Sequence, residues 1–127
     1  MQYRIDPRTG NRLSALGYGC MRFTHKGAGI DQAKASRELG LALDRGVNYF
    51  DTAYLYAGSE AALGAFVKER GCRKDIYIAT KLPQFRVRKT EDFERFFQEE
   101  LAALQRSILD QAVRYVAPGG SLLFSTC

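Results

Sequence analysis

One histidine and three cysteines leave little from which to build a metal site. Cys20, Cys72 and Cys127 are odd in number and share no C-x-x-C spacing, so no disulfide framework is expected and the thiols read as reduced. A zinc site of the His/Cys type would need His25 together with every cysteine, so no metal is expected. Apolar runs are short, far below the ~20 residues that cross a bilayer, which predicts no membrane span. The opening MQYRIDPRTG has no apolar signal core, so a cytoplasmic location is expected. Charge of one sign is not concentrated either: 19 Lys and Arg against 14 Asp and Glu give +5, spread along the chain. The one local cluster, Arg86, Arg88 and Lys89 beside Phe85, reads as a solvated loop, which argues against a nucleic-acid partner. A dinucleotide fingerprint is also missing, because Arg22 stands where the third glycine after Gly17 and Gly19 would have to be.

What is present suits one soluble domain of 127 residues, with 46% hydrophobic and 26% charged residues excluding a disordered chain. Gln2–Ile5 and Leu13–Gly17 flank the turn formers Asp6-Pro7-Arg8-Thr9-Gly10 and predict a hairpin. Asp31 to Gly46 reads as a capped helix with Ala35, Leu39, Ala42 and Leu43 on its buried face. Val47–Phe50 follows as a strand ending at Asp51. Ser59 is expected to cap a second helix that runs to Arg70, buries Ala62, Leu63, Phe66 and Val67, and stops at Gly71. Ile76–Thr80 is the next strand, with Lys81 at its end. Thr90 is expected to cap a third helix whose stripe is Phe93, Phe97, Leu101, Leu104, Ile108 and Ala112. Pro118-Gly119-Gly120 ends it before a last strand, 121–126. Strands alternating with helices predict an α/β fold with a parallel sheet and right-handed crossovers.

Parallel sheets carry their chemistry at the C-terminal ends of the strands. Asp51, Tyr56 and Lys81 fall at such ends in two successive βα units. An ammonium beside a tyrosine favours the phenolate, and an aspartate fixes the ammonium's position. A tyrosine so tuned is a general acid able to protonate a carbonyl oxygen while hydride reaches the carbon. From spacing alone an ordinary surface ion pair beside a loop tyrosine is the stronger reading, because such charge clusters are often structural.

Residues 2–104 resemble the N-terminal part of the aldo/keto reductases. The resemblance rests on Leu16-Gly17-Tyr18-Gly19-Cys20-Met21-Arg22-Phe23, Gly46-Val47-Asn48-Tyr49-Phe50-Asp51-Thr52-Ala53, Gly58-Ser59-Glu60 with Leu63-Gly64, and Ile78-Ala79-Thr80-Lys81. It implies part of a (β/α)8 TIM barrel: the N-terminal hairpin, then four parallel strands alternating with three helices. It implies reduction of a small carbonyl substrate with NADPH, Asp51, Tyr56 and Lys81 as catalytic residues, and Gly19, Met21 and Asp51 at the cofactor. The family's catalytic histidine would follow Lys81 on the next strand, and no histidine does. A barrel needs ~250 residues, so the chain reads as about half of one, with little or no activity and open edges suited to self-association.

Residues 105–127 resemble something else, the RNA cytosine-5 methyltransferases, through Pro118-Gly119-Gly120 and a strand ending in Thr126-Cys127. That resemblance implies Cys127 as a nucleophile toward cytosine and S-adenosylmethionine as an alternative cofactor. The two resemblances together suggest a chimera joined near Leu104-Gln105, with 1–104 a reductase-like unit and 105–127 a helix–strand tail completing the same domain.

Overall fold

The structure, a computed structural model, describes residues 1–99; the expected strand 121–126, most of the third helix's stripe and Cys127 lie outside the described residues. An antiparallel hairpin opens the chain, β1 (Tyr3–Ile5) with β2 (Arg12–Ser14), in the register Tyr3 with Ser14. Its turn is closed by the Asp6 carboxylate, which accepts from the Thr9 hydroxyl at 2.6 Å and the Arg8 N–H at 3.0 Å. These two bonds hold the Asp6 carboxyl below its ordinary range.

The parallel sheet has three strands in sequential order: β3 (Tyr18–Gly19), β6 (Tyr49–Asp51) and β7 (Tyr77–Ala79). Between β3 and β6 lies an exposed second hairpin, β4 (His25–Lys26) with β5 (Gly29–Ile30), which the sequence pattern did not predict. His25 is exposed there. Helix α1 (Gln32–Asp44) joins this hairpin to β6, and α2 (Ser59–Arg70) joins β6 to β7. A third helix, α3, occupies 90–99 of the described residues. No helix among them is long and apolar enough to cross a membrane.

Sequence explains most of these boundaries. Asp31 caps α1 as expected, its carboxylate accepting from the Lys34 N–H at 3.0 Å. Both helix ends use glycines at positive φ, Gly46 after α1 and Gly71 after α2. Leu39, Leu63 and Phe50 are wholly buried, so each helix turns its apolar stripe onto the sheet. Both predicted strands are shorter than expected, three residues each, because pairing begins only at Tyr49 with Tyr77.

Three expectations are corrected. Ser59 does not cap α2: Gly58, in the left-handed conformation, is the N-cap, and the Ser59 hydroxyl bonds elsewhere. Thr90 lies inside α3, whose first turn is closed by the Lys89 carbonyl, with Asp92 accepting from the Arg88 N–H at 3.1 Å. The α3 stripe through Phe93 and Phe97 is also rotated. Phe96 is the buried residue, edge-on to Tyr54 at 5.5 Å, while Phe93 and Phe97 stack on each other outside the core.

The N-terminal hairpin is fastened to the strand beside it. Asn48 accepts from the Ser14 N–H at 2.7 Å, and its own N–H reaches the Ser14 hydroxyl at 3.0 Å. Tyr3 completes the attachment by donating to the Gly46 carbonyl at 3.1 Å. A β-carbon at Gly46 would sit 2.8 Å from that tyrosine oxygen, on a backbone with φ of 88°. Gly46→Ala is therefore expected to cost about 1–2 kcal/mol from the backbone conformation alone, and more from the collision. Urea unfolding checks this, and a loss of only a few tenths would contradict the packing.

Candidate active site

The C-terminal ends of β3, β6 and β7 form one edge, and the chemistry-bearing side chains gather on it. Asp51 is the last residue of β6 and pairs in register with Gly19. Lys81 lies two residues beyond the end of β7. Tyr56 sits in the loop from β6 to α2, which is tightened by bonds from the Tyr56 N–H to Ala53 and from the Ser59 N–H to Tyr56. The same loop is tied to β7's extension by the Tyr54 N–H, which donates to the Lys81 carbonyl at 3.2 Å.

These elements bring Asp51, Tyr56 and Lys81 together. The Lys81 ammonium donates to Asp51 Oδ1 at 2.5 Å and to the Thr52 carbonyl at 2.9 Å. It also stands 5.2 Å from the centre of the Tyr56 ring. Partial burial pulls the Lys81 pKa down, but the bond and charge of Asp51, then the contact with Tyr56, outweigh it and leave the group above the ordinary lysine value. The ammonium therefore persists throughout the neutral range. Side-chain exposures of 43% for Lys81 and 36% for Asp51 leave the pair open to a ligand. At that exposure an ion pair adds little to stability.

Three tyrosines lie around this edge, and their surroundings distinguish them. Burial and then the Glu38 carboxylate, 3.4 Å away, push Tyr18 up to about 12. A 2.8 Å bond to Glu99 raises Tyr54. Tyr56 stands beside the Lys81 ammonium, 5.2 Å from it at the ring centre.

Of the three residues expected at the cofactor, Gly19 and Asp51 are register partners on neighbouring strands. A β-carbon added at Gly19 would meet nothing within 4 Å, and Met21 is 57% exposed. Cys20, between them, is wholly buried. Burial, then the charge of Asp51, push its thiol up to about 12 in spite of Lys81, so it stays protonated and is no nucleophile at neutral pH. The exposed Arg86 and Phe85 lie just beyond β7 on a 3-10 turn (Gln84–Arg86), in line with the expected solvated loop.

Sequence reasoning missed the polar residues beneath the site. Thr52, Ser59, Glu60 and Thr80 are all buried. Thr52 and Thr80 directly follow β6 and β7, whereas Ser59 and Glu60 open α2, and no local pattern in the sequence links the two pairs.

Comparison with known proteins gives this geometry a setting. Residues 15–114 match the Aldo/keto reductase family. Over 89 residues the chain is 37% identical to an uncharacterized oxidoreductase, YrpG, of Bacillus subtilis (strain 168), covering 65% of this chain and 26% of that protein. Among solved structures it resembles a putative aldo-keto reductase from Pseudomonas aeruginosa, at 30% identity and a TM-score of 0.66, covering 81% of this chain and 41% of that one. It also resembles an aldo-keto reductase complexed with NADPH, at 28% identity and a TM-score of 0.56, covering 75% of this chain and 30% of that one. The chain thus spans about a quarter of the curated relative's length.

Proposed function

This chain belongs to the aldo/keto reductase family, and on that premise we propose that Asp51, Tyr56 and Lys81 form the catalytic centre of an NADPH-dependent carbonyl reduction. The fold is α/β, and the three successive parallel strands with their helices are part of the family's (β/α)8 barrel. The observation that carries the reading is the Lys81 ammonium, held by Asp51 at 2.5 Å and set against Tyr56.

The residues present suit the cofactor. Gly19 leaves open space on the strand edge, Asp51 is its register partner, and Met21, two residues further along the chain, offers an exposed apolar side chain. A flat nicotinamide ring fits such an edge, and a similar solved structure carries NADPH. When bound, NADPH supplies the hydride. Tyr56 hydrogen-bonds the carbonyl oxygen of a small aldehyde or ketone, polarises it, and gives up its hydroxyl proton as the carbon is reduced. The products are then an alcohol and a Tyr56 phenolate, which takes a proton back from solvent. Lys81 stabilises that phenolate by charge, and Asp51 keeps the ammonium from swinging into water.

The test is oxidation of NADPH by the full chain in the presence of an aromatic aldehyde. Aldehyde-dependent oxidation is expected. Its absence, with the chain folded and NADPH present in excess, would contradict the reading.

A further inference from the structure

Beneath the exposed Asp51–Lys81 pair lies a buried polar layer that the proposed chemistry does not use. Ser59 Oγ donates to the Cys20 carbonyl at 2.7 Å and lies 2.9 Å from Thr52 Oγ1. A hydroxyl has one proton to give, and that of Ser59 is committed to Cys20. Thr52 must therefore be the donor to Ser59, so the bonds run from Thr52 through Ser59 to the Cys20 carbonyl. On the neighbouring strand, the Thr80 hydroxyl donates to Glu60 Oε1 at 2.8 Å. Cys20, Thr52 and Thr80 are the residues immediately after β3, β6 and β7. The first turn of α2 is thus bonded to all three strand ends at once.

Thr52 is the joint of this arrangement. Its N–H donates to the Ala79 carbonyl at 2.8 Å, and its own carbonyl accepts from the Lys81 ammonium at 2.9 Å. The ammonium's two oxygen acceptors, the Asp51 carboxylate and the Thr52 carbonyl, therefore belong to adjacent residues. Any rotation of residue 52 moves both. Thr52 and Ser59 are 0% and 2% exposed, so water cannot substitute for a lost partner.

We infer that Thr52 and Ser59 are positioning residues, whose hydroxyl-to-hydroxyl bond fixes the Thr52 peptide and so holds the Lys81 ammonium against Asp51. Its meaning for catalysis rests on the reductase reading of that pair. Its test needs neither cofactor nor substrate, so the two can fail separately. Selectively carbon-13-labelled lysine reports the Lys81 titration by NMR, with Lys81→Arg identifying the resonance. Among the described residues, the titratable groups facing that ammonium are Asp51 and Tyr56, with the buried Cys20 thiol also within reach of its charge.

Thr52→Val keeps the shape and removes the hydroxyl, whereas Thr52→Ser keeps the hydroxyl and removes a methyl. The expected result is that the Lys81 midpoint falls toward the ordinary lysine value in Thr52→Val and stays at the wild-type value in Thr52→Ser. Packing alone would instead make Thr52→Ser the more disturbed of the two. An unmoved midpoint in Thr52→Val, or equal shifts in both variants, would overturn the inference. Should Thr52→Val not fold, Ser59→Ala breaks the same bond from the other side and is read in the same way.

Discussion

Tyr56→Phe is expected to lower kcat for NADPH-dependent reduction of an aromatic aldehyde by about 10²–10⁴-fold, the range attached to a positioned general acid. The phenylalanine ring keeps the contact 5.2 Å below the Lys81 ammonium and removes only the proton donor. The bonds from Lys81 to Asp51 and Thr52 do not involve the lost oxygen, so the fold and the ion pair persist. The loss should therefore appear in kcat, with cofactor binding close to wild type. Tyr18 and Tyr54 cannot replace the donor, because their hydroxyls face Glu38 and Glu99. Steady-state kinetics of the two proteins decides the matter, and an unchanged kcat would remove Tyr56 from the chemistry.

The largest expected effect on stability is at Leu63. It is wholly buried on α2, within the cluster that contains Leu39, Phe50 and Phe66. Leu63→Ala forfeits the transfer of the deleted atoms and leaves a cavity that the surrounding rings fill only in part. About 2.7–5 kcal/mol is expected from such a truncation. Leu41, 57% exposed on the outer face of α1, is the control, and Leu41→Ala should stay within about 0.5 kcal/mol. Urea unfolding of both variants measures the difference. Equal losses would mean that α2 does not present this face to the core.

Leu63 also shows why the helices were legible in the sequence. A buried stripe recurs at three- and four-residue intervals, a local pattern that needs no knowledge of its partner. The positions of Asp51 and Lys81 were legible for a related reason, since both strands could be placed from their apolar runs, whereas Tyr56 lies in a loop and was joined to them by the family resemblance. Where the reading failed, the deciding partner was distant or ambiguous. Ser59 has the chemistry of an N-cap, yet its hydroxyl is taken by Cys20, 39 residues away in the chain. Phe93, Phe96 and Phe97 offer two faces of one helix, and the choice was made by Tyr54, which lies in another element. The β4–β5 hairpin has two-residue strands, too short for any alternation to register. The layer of Thr52, Ser59, Glu60 and Thr80 could not be read at all without the structure, because the bonds from Thr52 to Ser59 and from Thr80 to Glu60 emerge only when three strand ends meet one helix.

The assignment of Asp51, Tyr56 and Lys81 to carbonyl reduction is tested most directly by following the hydride. The full chain is incubated with an aromatic aldehyde and NADPH deuterated at both positions of its hydride-donating carbon, and the alcohol is analysed by mass spectrometry. Deuterium on the carbinol carbon is expected with the wild-type chain, and about 10²–10⁴-fold less at equal times with Tyr56→Phe. Alcohol without deuterium, or the same labelling in both proteins, would contradict it.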